Sequence, residues 1–423
     1  MNRSVIVASR MALFTLAAAV CSLRAQAEQD SSRAELFDQI WNIVRDDFYD
    51  PQLHGVDWSS VRNRYRPQAT SSQSQAEFAR VVNEMLETLD ASHTVYLTWE
   101  NPRYYQLLGV FESSGAYETQ LVQVRKSLPQ SQLAYVGIGI DILTTDEGQF
   151  VAAIYDGGPA EDAGLLVGDR LVSVDGQPLH PIRSFQNRAD QPMTLAVQRV
   201  RSGPTLELQV VPKLYTAGNM FVEAAEKSAR IIEANGHRIA YVHLWSYSGT
   251  KYQELLVSLL FGESLADADA LLLDLRDGWG GASPSFLNLF NRNIPLLKMK
   301  RRGADSVLLD SQWRKPVALI INGGVRSGKE AFAYGFKKSK IGPIVGSRTA
   351  GAVLAGALRF LPDHSVLYLA VADIDVDGRR LEGVGVEPTV NVERSIAFGE
   401  GRDPQLDAGV KQLERILDLS AKR

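Results

Sequence analysis

Pro316-Val-Ala-Leu-Ile-Ile-Asn-Gly-Gly-Val-Arg-Ser-Gly-Lys-Glu-Ala-Phe332 reads as a buried strand, a glycine turn and a helix that begins near Ser327. A short apolar run closed by Gly323-Gly324 is the pattern of a strand covered on both faces, and Glu330-Ala-Phe-Ala-Tyr334 favours helix. Two chemistries compete for the turn between them. The spacing from Gly323 to Lys329 is that of a phosphate-binding loop, in which backbone N–H groups and a lysine hold nucleotide phosphates. The match fails at Glu330, which stands where a magnesium-binding hydroxyl is needed and whose carboxylate would repel phosphate. The junction therefore points to Ser327 as its reactive group. The bland alternative for that serine is a helix N-cap.

The chain has 423 residues, 45% hydrophobic and 22% charged, which is globular material long enough for two or three domains. A net charge of −4 leaves no basic surplus, so nucleic acid and anionic membrane are excluded as main partners. Arg3 and Arg10 precede an apolar run from Met11 to Leu23, and Ala25-Gln-Ala27 follows as a small-x-small site. This predicts a signal peptide over 1–27, cut after Ala27, and a periplasmic or secreted protein. The run is shorter than the roughly 20 residues needed to cross a bilayer, so no stable membrane span is expected. The single cysteine, Cys21, lies inside that segment, and the bulk of Val20 before it argues against lipid attachment. The mature chain thus has no thiol, and an oxidising compartment suits it.

Beyond the cleavage site, Ser32-Arg-Ala-Glu35 forms a capping box ahead of Leu36, Ile40, Ile43 and Val44 at helical spacing. Asp57 opens a second helix, and Ser74-Gln-Ala-Glu77 caps a third that carries Phe78, Val81, Val82, Met85, Leu86 and Leu89 on one face. Residues 28–117 are expected to form a helical domain. Just past its third helix, Leu89-Asp-Ala-Ser-His-Thr94 puts His93 in a loop beside a hydroxyl and a carboxylate.

Over 118–213 the pattern turns to short strands and glycine turns: Tyr135-Val-Gly-Ile-Gly-Ile-Asp141, Gly157-Gly-Pro-Ala-Glu-Asp-Ala-Gly-Leu165 and Val167-Gly-Asp-Arg-Leu-Val-Ser-Val-Asp-Gly-Gln177. In this order these stretches resemble a PDZ domain. The loop Gly137, Ile138, Gly139, Ile140 would offer N–H groups to a peptide carboxylate while the adjacent strand edge adds the peptide. Residues 214–395 alternate strands and helices and predict an α/β core. That core opens with a hairpin turning at Asn235-Gly236, and a final helix falls within 396–423.

The whole mature chain resembles the carboxyl-terminal processing, or tail-specific, serine peptidases. Asp274-Leu-Arg-Asp-Gly-Trp-Gly-Gly281 matches the family's glycine motif, and Ser327-Gly-Lys-Glu330 matches its nucleophile motif. The resemblance implies a multidomain α/β protein: an N-terminal helical domain, a β-rich PDZ domain and a crotonase/ClpP-like peptidase core. Members with a Ser-Lys dyad carry the lysine where Gly346-Ser-Arg-Thr-Ala-Gly-Ala352 ends in alanine. The tricorn-like branch uses instead a histidine from the helical part and a glutamate, matched by His93 and by Glu382 in Glu382-Gly-Val-Gly-Val-Glu-Pro388. The implied triad is Ser327, His93 and Glu382, with N–H donors for the oxyanion at Gly328, Gly280 and Gly281. Glu382 could alternatively pair with Arg379 or Arg380 on the surface.

The remaining histidines lie in turn-like contexts, at 54, 180, 237 and 364, except His243, which sits on a strand with Tyr241 and Trp245 and could face a cleft, a satisfied core position being the expected alternative. No histidine pair has metal-ligand spacing, so neither metal nor cofactor is expected. Lys329, two residues past the serine, points away from it on a helix and is not the base. The expected function is an endopeptidase that hydrolyses exported proteins through an acyl-enzyme, its PDZ domain taking accessible substrate C-termini. The alternative is an inactive peptide-binding protein on the same scaffold, since Asp277-Gly-Trp279 departs from the family's usual Asn-rich turn.

Overall fold

The computed structural model describes residues 31–422 except 113, 129, 130, 263 and 304; the expected signal peptide lies outside the described residues. The chain forms two compact units, one of Met1–Thr98 with Leu354–Asp373, the other of Trp99–Val353 with Ile374–Arg423.

In the first unit, helices over 31–47, Trp58–Thr70 and Gln75–Glu87 arise from the caps and apolar spacing described above. Asp57 accepts from the N–H of Ser60 at 3.0 Å and Ser74 from that of Glu77 at 3.1 Å. Glu77 reaches back past the cap to the N–H of Gln73 at 2.7 Å. The first helix differs from expectation, because residue 31 is already helical and the Ser31 hydroxyl, not that of Ser32, meets Glu35. Phe37, Ile40, Phe78, Val82 and Met85 form a core completed by Leu354, Leu361, Leu367 and Leu369 of the distant segment. That segment is a hairpin, Ala355–Phe360 and Val366–Ala372, with Val95–Leu97 as an antiparallel third strand.

The second unit carries a five-stranded antiparallel sheet, Ile140–Thr145, Gly148–Ile154, Arg170–Val174, Met193–Gln198 and Thr205–Val210, adjacent in that order. A short helix, Pro159–Asp162, accompanies it, and Ala134–Gly137 pairs with Lys213–Thr216. Its six-stranded sheet runs Val390–Asn391, Ile344–Gly346, Val317–Ile321, Ala270–Asp274, His237–His243, Arg230–Ala234. All pairs are parallel except the last, whose turn residues Asn235 (φ 49°) and Gly236 (φ 79°) adopt the conformation that joins two-residue hairpins. Every residue of Val317–Ile321 and Ala270–Asp274 is buried, which is why both read as unbroken apolar runs. The helix Pro404–Ala421 covers one face through Leu413, against Ile239, Leu272, Ala318 and Ile320. After Gly281 the chain forms a 3-10 segment, Pro284–Phe290. Among the described residues no helix is long and apolar enough to cross a membrane.

Candidate active site

Ser327 ends the turn between the strand Val317–Ile321 and the helix Gly328–Lys338. Its backbone sits at φ 57°, ψ −132°, a strained conformation for a residue with a side chain, and its hydroxyl makes no capping bond to the helix. The N-cap alternative therefore falls: Ser327 holds the capping position without using its side chain there. A serine forced to positive φ at a strand-to-helix turn presents its hydroxyl outward.

The glycine turn lies directly against it. A Cβ on Gly280 would stand 2.6 Å from the Ser327 Cβ, and one on Gly328 would stand 2.5 Å from the Ala282 nitrogen. Only glycine permits this backbone-to-backbone approach. Among the described residues the N–H groups of Gly280, Gly281 and Gly328 have no acceptor. Ser327, Gly328, Gly280 and Gly281 are thus brought together at one point.

Two buried charges brace this point from opposite sides in sequence. Lys329, fully buried, donates to the carbonyls of Trp245 (3.2 Å), Leu275 (3.2 Å) and Asp277 (3.1 Å), which lead into the glycine turn. Burial pushes its pKa down to about 7. Glu330, also fully buried, accepts from the N–H groups of Gly351 (2.8 Å) and Ala352 (2.6 Å) and from the Thr349 hydroxyl. Burial raises its pKa against these hydrogen bonds. Sequence reading set Lys329 aside as a base and missed its clamp, because none of its three acceptors is local.

The segment braced by Glu330 links the serine to Glu382. The Ala352 carbonyl accepts the Ser327 N–H at 2.7 Å, and the next N–H, that of Val353, donates to the Glu382 carboxylate at 2.7 Å. Position 352 offers only a methyl group and a backbone. His93 belongs to the other unit, in a turn at φ 55°, where the Ser92 hydroxyl stands 2.8 Å from its Nδ1 and the Tyr368 ring 5.2 Å from its own. The hydroxyl foreseen beside this histidine is therefore Ser92.

His243 is satisfied in the core, with Nε2 3.0 Å from the Arg276 carbonyl and its ring 4.0 Å from Trp245. Burial lowers its pKa, but Asp274 and Asp156 outweigh that and raise it. Gly137, Ile138, Gly139 and Ile140 line a narrow recess with Leu179 and Phe185. Asp141, next in sequence, accepts from the Tyr155 hydroxyl at 2.7 Å; Gln106 donates to that oxygen and accepts from the Trp279 indole at 2.9 Å. A hydrogen-bonded chain thus joins the loop at 137–140 to the residue before Gly280. Among the described residues no group of three or more His, Cys, Asp or Glu is placed to hold a metal ion.

Residues 238–392 match peptidase family S41, residues 29–87 the tricorn protease C1 domain, and residues 150–199 a PDZ domain. A putative tricorn protease homolog 2 of Streptomyces coelicolor is 26% identical over 402 residues, 91% of this chain but 32% of that protein. A carboxyl-terminal-processing protease of Synechocystis is 23% identical over 395 residues, 90% of this chain and 85% of the relative. This chain therefore spans about a third of the tricorn homolog and most of the processing protease. In fold it resembles the crystal structure of the tricorn protease (TM-score 0.55, 19% identity, 91% of this chain and 37% of that one). It also resembles mature CPAF complexed with lactacystin (TM-score 0.52, 12% identity, 93% and 100%). Taken with the serine turn and its glycines, these matches give the chain a serine peptidase domain of family S41 over residues 238–392, with a tricorn-type C1 domain and a PDZ domain ahead of it.

Proposed function

We propose that this chain is an exported serine endopeptidase that cleaves proteins through an acyl-enzyme on Ser327. The observation that carries the reading is the strained Ser327 backbone packed against a glycine turn with unused N–H groups. A serine hydroxyl is a poor nucleophile at its own pKa and needs a base. In the proposed cycle His93, from the other unit, takes the Ser327 proton as Oγ attacks the scissile carbonyl. The oxyanion is received by N–H groups of Gly328 and the turn at Gly280 and Gly281. The imidazolium returns its proton to the leaving amine, and water then hydrolyses the ester by the reverse relay. Glu382 stabilises that imidazolium, and the Ser92 contact at Nδ1 supports a fixed ring orientation. The PDZ domain takes accessible substrate C-termini at Gly137, Ile138, Gly139 and Ile140, and the expected signal peptide would deliver the protein to the periplasm or beyond.

The test is to incubate the mature protein and Ser327→Ala with an unfolded protein, and to treat both with a fluorophosphonate probe. Cleavage and labelling by the wild type alone are expected. If both proteins leave the substrate intact and unlabelled while still binding C-terminal peptides, the chain is a binding protein and the peptidase reading fails. His93→Ala is expected to abolish turnover, and full activity without His93 would refute the triad.

A further inference from the structure

The helix Pro102–Glu112 sets Arg103 and Gln106 one turn apart, and both reach Trp279. Gln106 accepts from the indole N–H at 2.9 Å, so the helix is tethered to the glycine turn without help from Arg103. The Arg103 guanidinium nonetheless lies over the indole, 5.3 Å from its centroid, and that of Arg326, the residue before the nucleophile, lies 6.0 Å from the same centroid. Among the described residues neither guanidinium has a carboxylate within ion-pair distance, and the Arg103 guanidinium donates to none of them. Arg326 keeps one hydrogen bond, to the Gly324 carbonyl at 3.3 Å.

Both guanidiniums lie against the same indole, and the charge of Arg326 opposes that of Arg103. Arg103 is exposed at its surface, and the protein packed around its guanidinium, followed by the charge of Arg326, lowers its pKa. The facing acids are already engaged with neutral donors, Asp141 with the Tyr155 hydroxyl and Asp277 with the Asn322 amide. A protein tolerates such a pair where a ligand supplies the missing negative charge, and guanidinium forks match carboxylates in two-point hydrogen bonds.

We propose that Arg103 and Arg326, over Trp279, form a subsite that receives a substrate carboxylate beside Ser327. This rests on the peptidase reading and narrows it to a substrate class. Trp279 precedes Gly280, and Arg326 precedes Ser327, so the subsite is built on the residues next to the proposed nucleophile and its glycine turn. The carboxylate has two sources, an acidic side chain near the cut or a free C-terminus just beyond it.

The experiment measures kcat/KM on paired internally quenched peptides. One series carries Glu or Gln at each of the three positions flanking the cut on either side, and another carries a free or an amidated C-terminus. Wild type is expected to favour the carboxylate over its amide by about tenfold or more at one position, the size of one charge-assisted hydrogen bond. The series that shows the preference identifies the source. Arg103→Gln and Arg326→Gln should each collapse the ratio towards one, and Arg103→Lys should restore part of it. The ratio is read within each variant, so a general loss of activity cancels. Added salt should shrink it, since Arg103 is open to water. Equal cleavage of both members of every pair by wild type, or a ratio that survives Arg103→Gln, overturns the subsite and leaves the peptidase standing. Failure of wild type to cut any peptide or unfolded protein overturns both.

Discussion

Lys329 shows how one side chain next to the proposed nucleophile can serve it without touching substrate. Its ammonium satisfies three carbonyls that enter the glycine turn, at the ends of the strands His237–His243 and Ala270–Asp274. Replacing it by methionine removes the charge penalty but leaves those carbonyls free to drift, and the N–H groups beyond them with them. Lys329→Met is expected to stay folded and to lose on the order of 10- to 100-fold in kcat, less than the roughly 100- to 1000-fold that follows complete removal of an oxyanion donor. Stability should also separate the two proteins in pH. The folded pKa of Lys329 is depressed to about 7 from 10.5, so between these values the unfolded chain binds more protons. The wild type should therefore gain stability over Lys329→Met as pH rises through that window. Parallel urea-denaturation profiles at each pH would show that Lys329 does not titrate there.

At the scale of elements, the Asp274-Leu-Arg276 motif joins a strand to a helix. Arg276 grips Asp274 through Nε and Nη2 at 3.0 and 2.6 Å, and Asp403 through Nη1 and Nη2 at 2.8 Å each. Asp403 in turn accepts from the Leu406 N–H at 3.0 Å and caps the helix Pro404–Ala421. Burial would raise both carboxyl pKa values, but the guanidinium overrides it and holds both below the usual value. Their contribution is thus present above an ordinary carboxyl pKa near 3.8 and is lost as pH falls below it. Arg276→Met leaves two buried carboxylates without a counter-charge and should cost about 3–5 kcal/mol at neutral pH. Its acid unfolding, followed by circular dichroism, should begin at higher pH than in the wild type. An unchanged acid midpoint would mean the clamp contributes nothing.

This clamp marks the limit of what the sequence displayed. The strand before Ser327, the Asn235-Gly236 hairpin and the caps at Asp57 and Ser74 were legible because each depends on residues a few positions apart. The meeting of Ser327 with Gly280 was legible only through family resemblance, since no local rule relates residues 47 positions apart. The three carbonyls under Lys329, the tether from Gln106 to Trp279 and the strained φ of Ser327 had no local signature. They arise when parallel strands, distant in sequence, end at the same edge of a sheet.

For the molecule as a whole, the N-terminal unit is not a leading segment that folds from its own residues. Its sheet is centred on Val366–Ala372, which pairs with Ala355–Phe360 on one side and Val95–Leu97 on the other, and the Tyr49 N–H donates to Ala370 at 3.1 Å. Leu354, Leu367 and Leu369, all fully buried, share a core with Phe37 and Phe78. Only Val353 separates Leu354 from Ala352, whose carbonyl accepts the Ser327 N–H, so the chain passes directly from the segment paired with Ser327 into that core. A change in the hairpin should therefore be felt in both the helices and turnover. Leu369→Ala is expected to destabilise the N-terminal unit by about 2–5 kcal/mol, as cavity-forming substitutions do. Native-state hydrogen exchange should show faster exchange along Gln75–Glu87 with little change in Pro404–Ala421, whose core is separate. If Gln75–Glu87 keeps wild-type protection in Leu369→Ala, the helices hold together without the hairpin. In that case a chain ending at Thr98 should fold alone, an outcome that the shared core argues against.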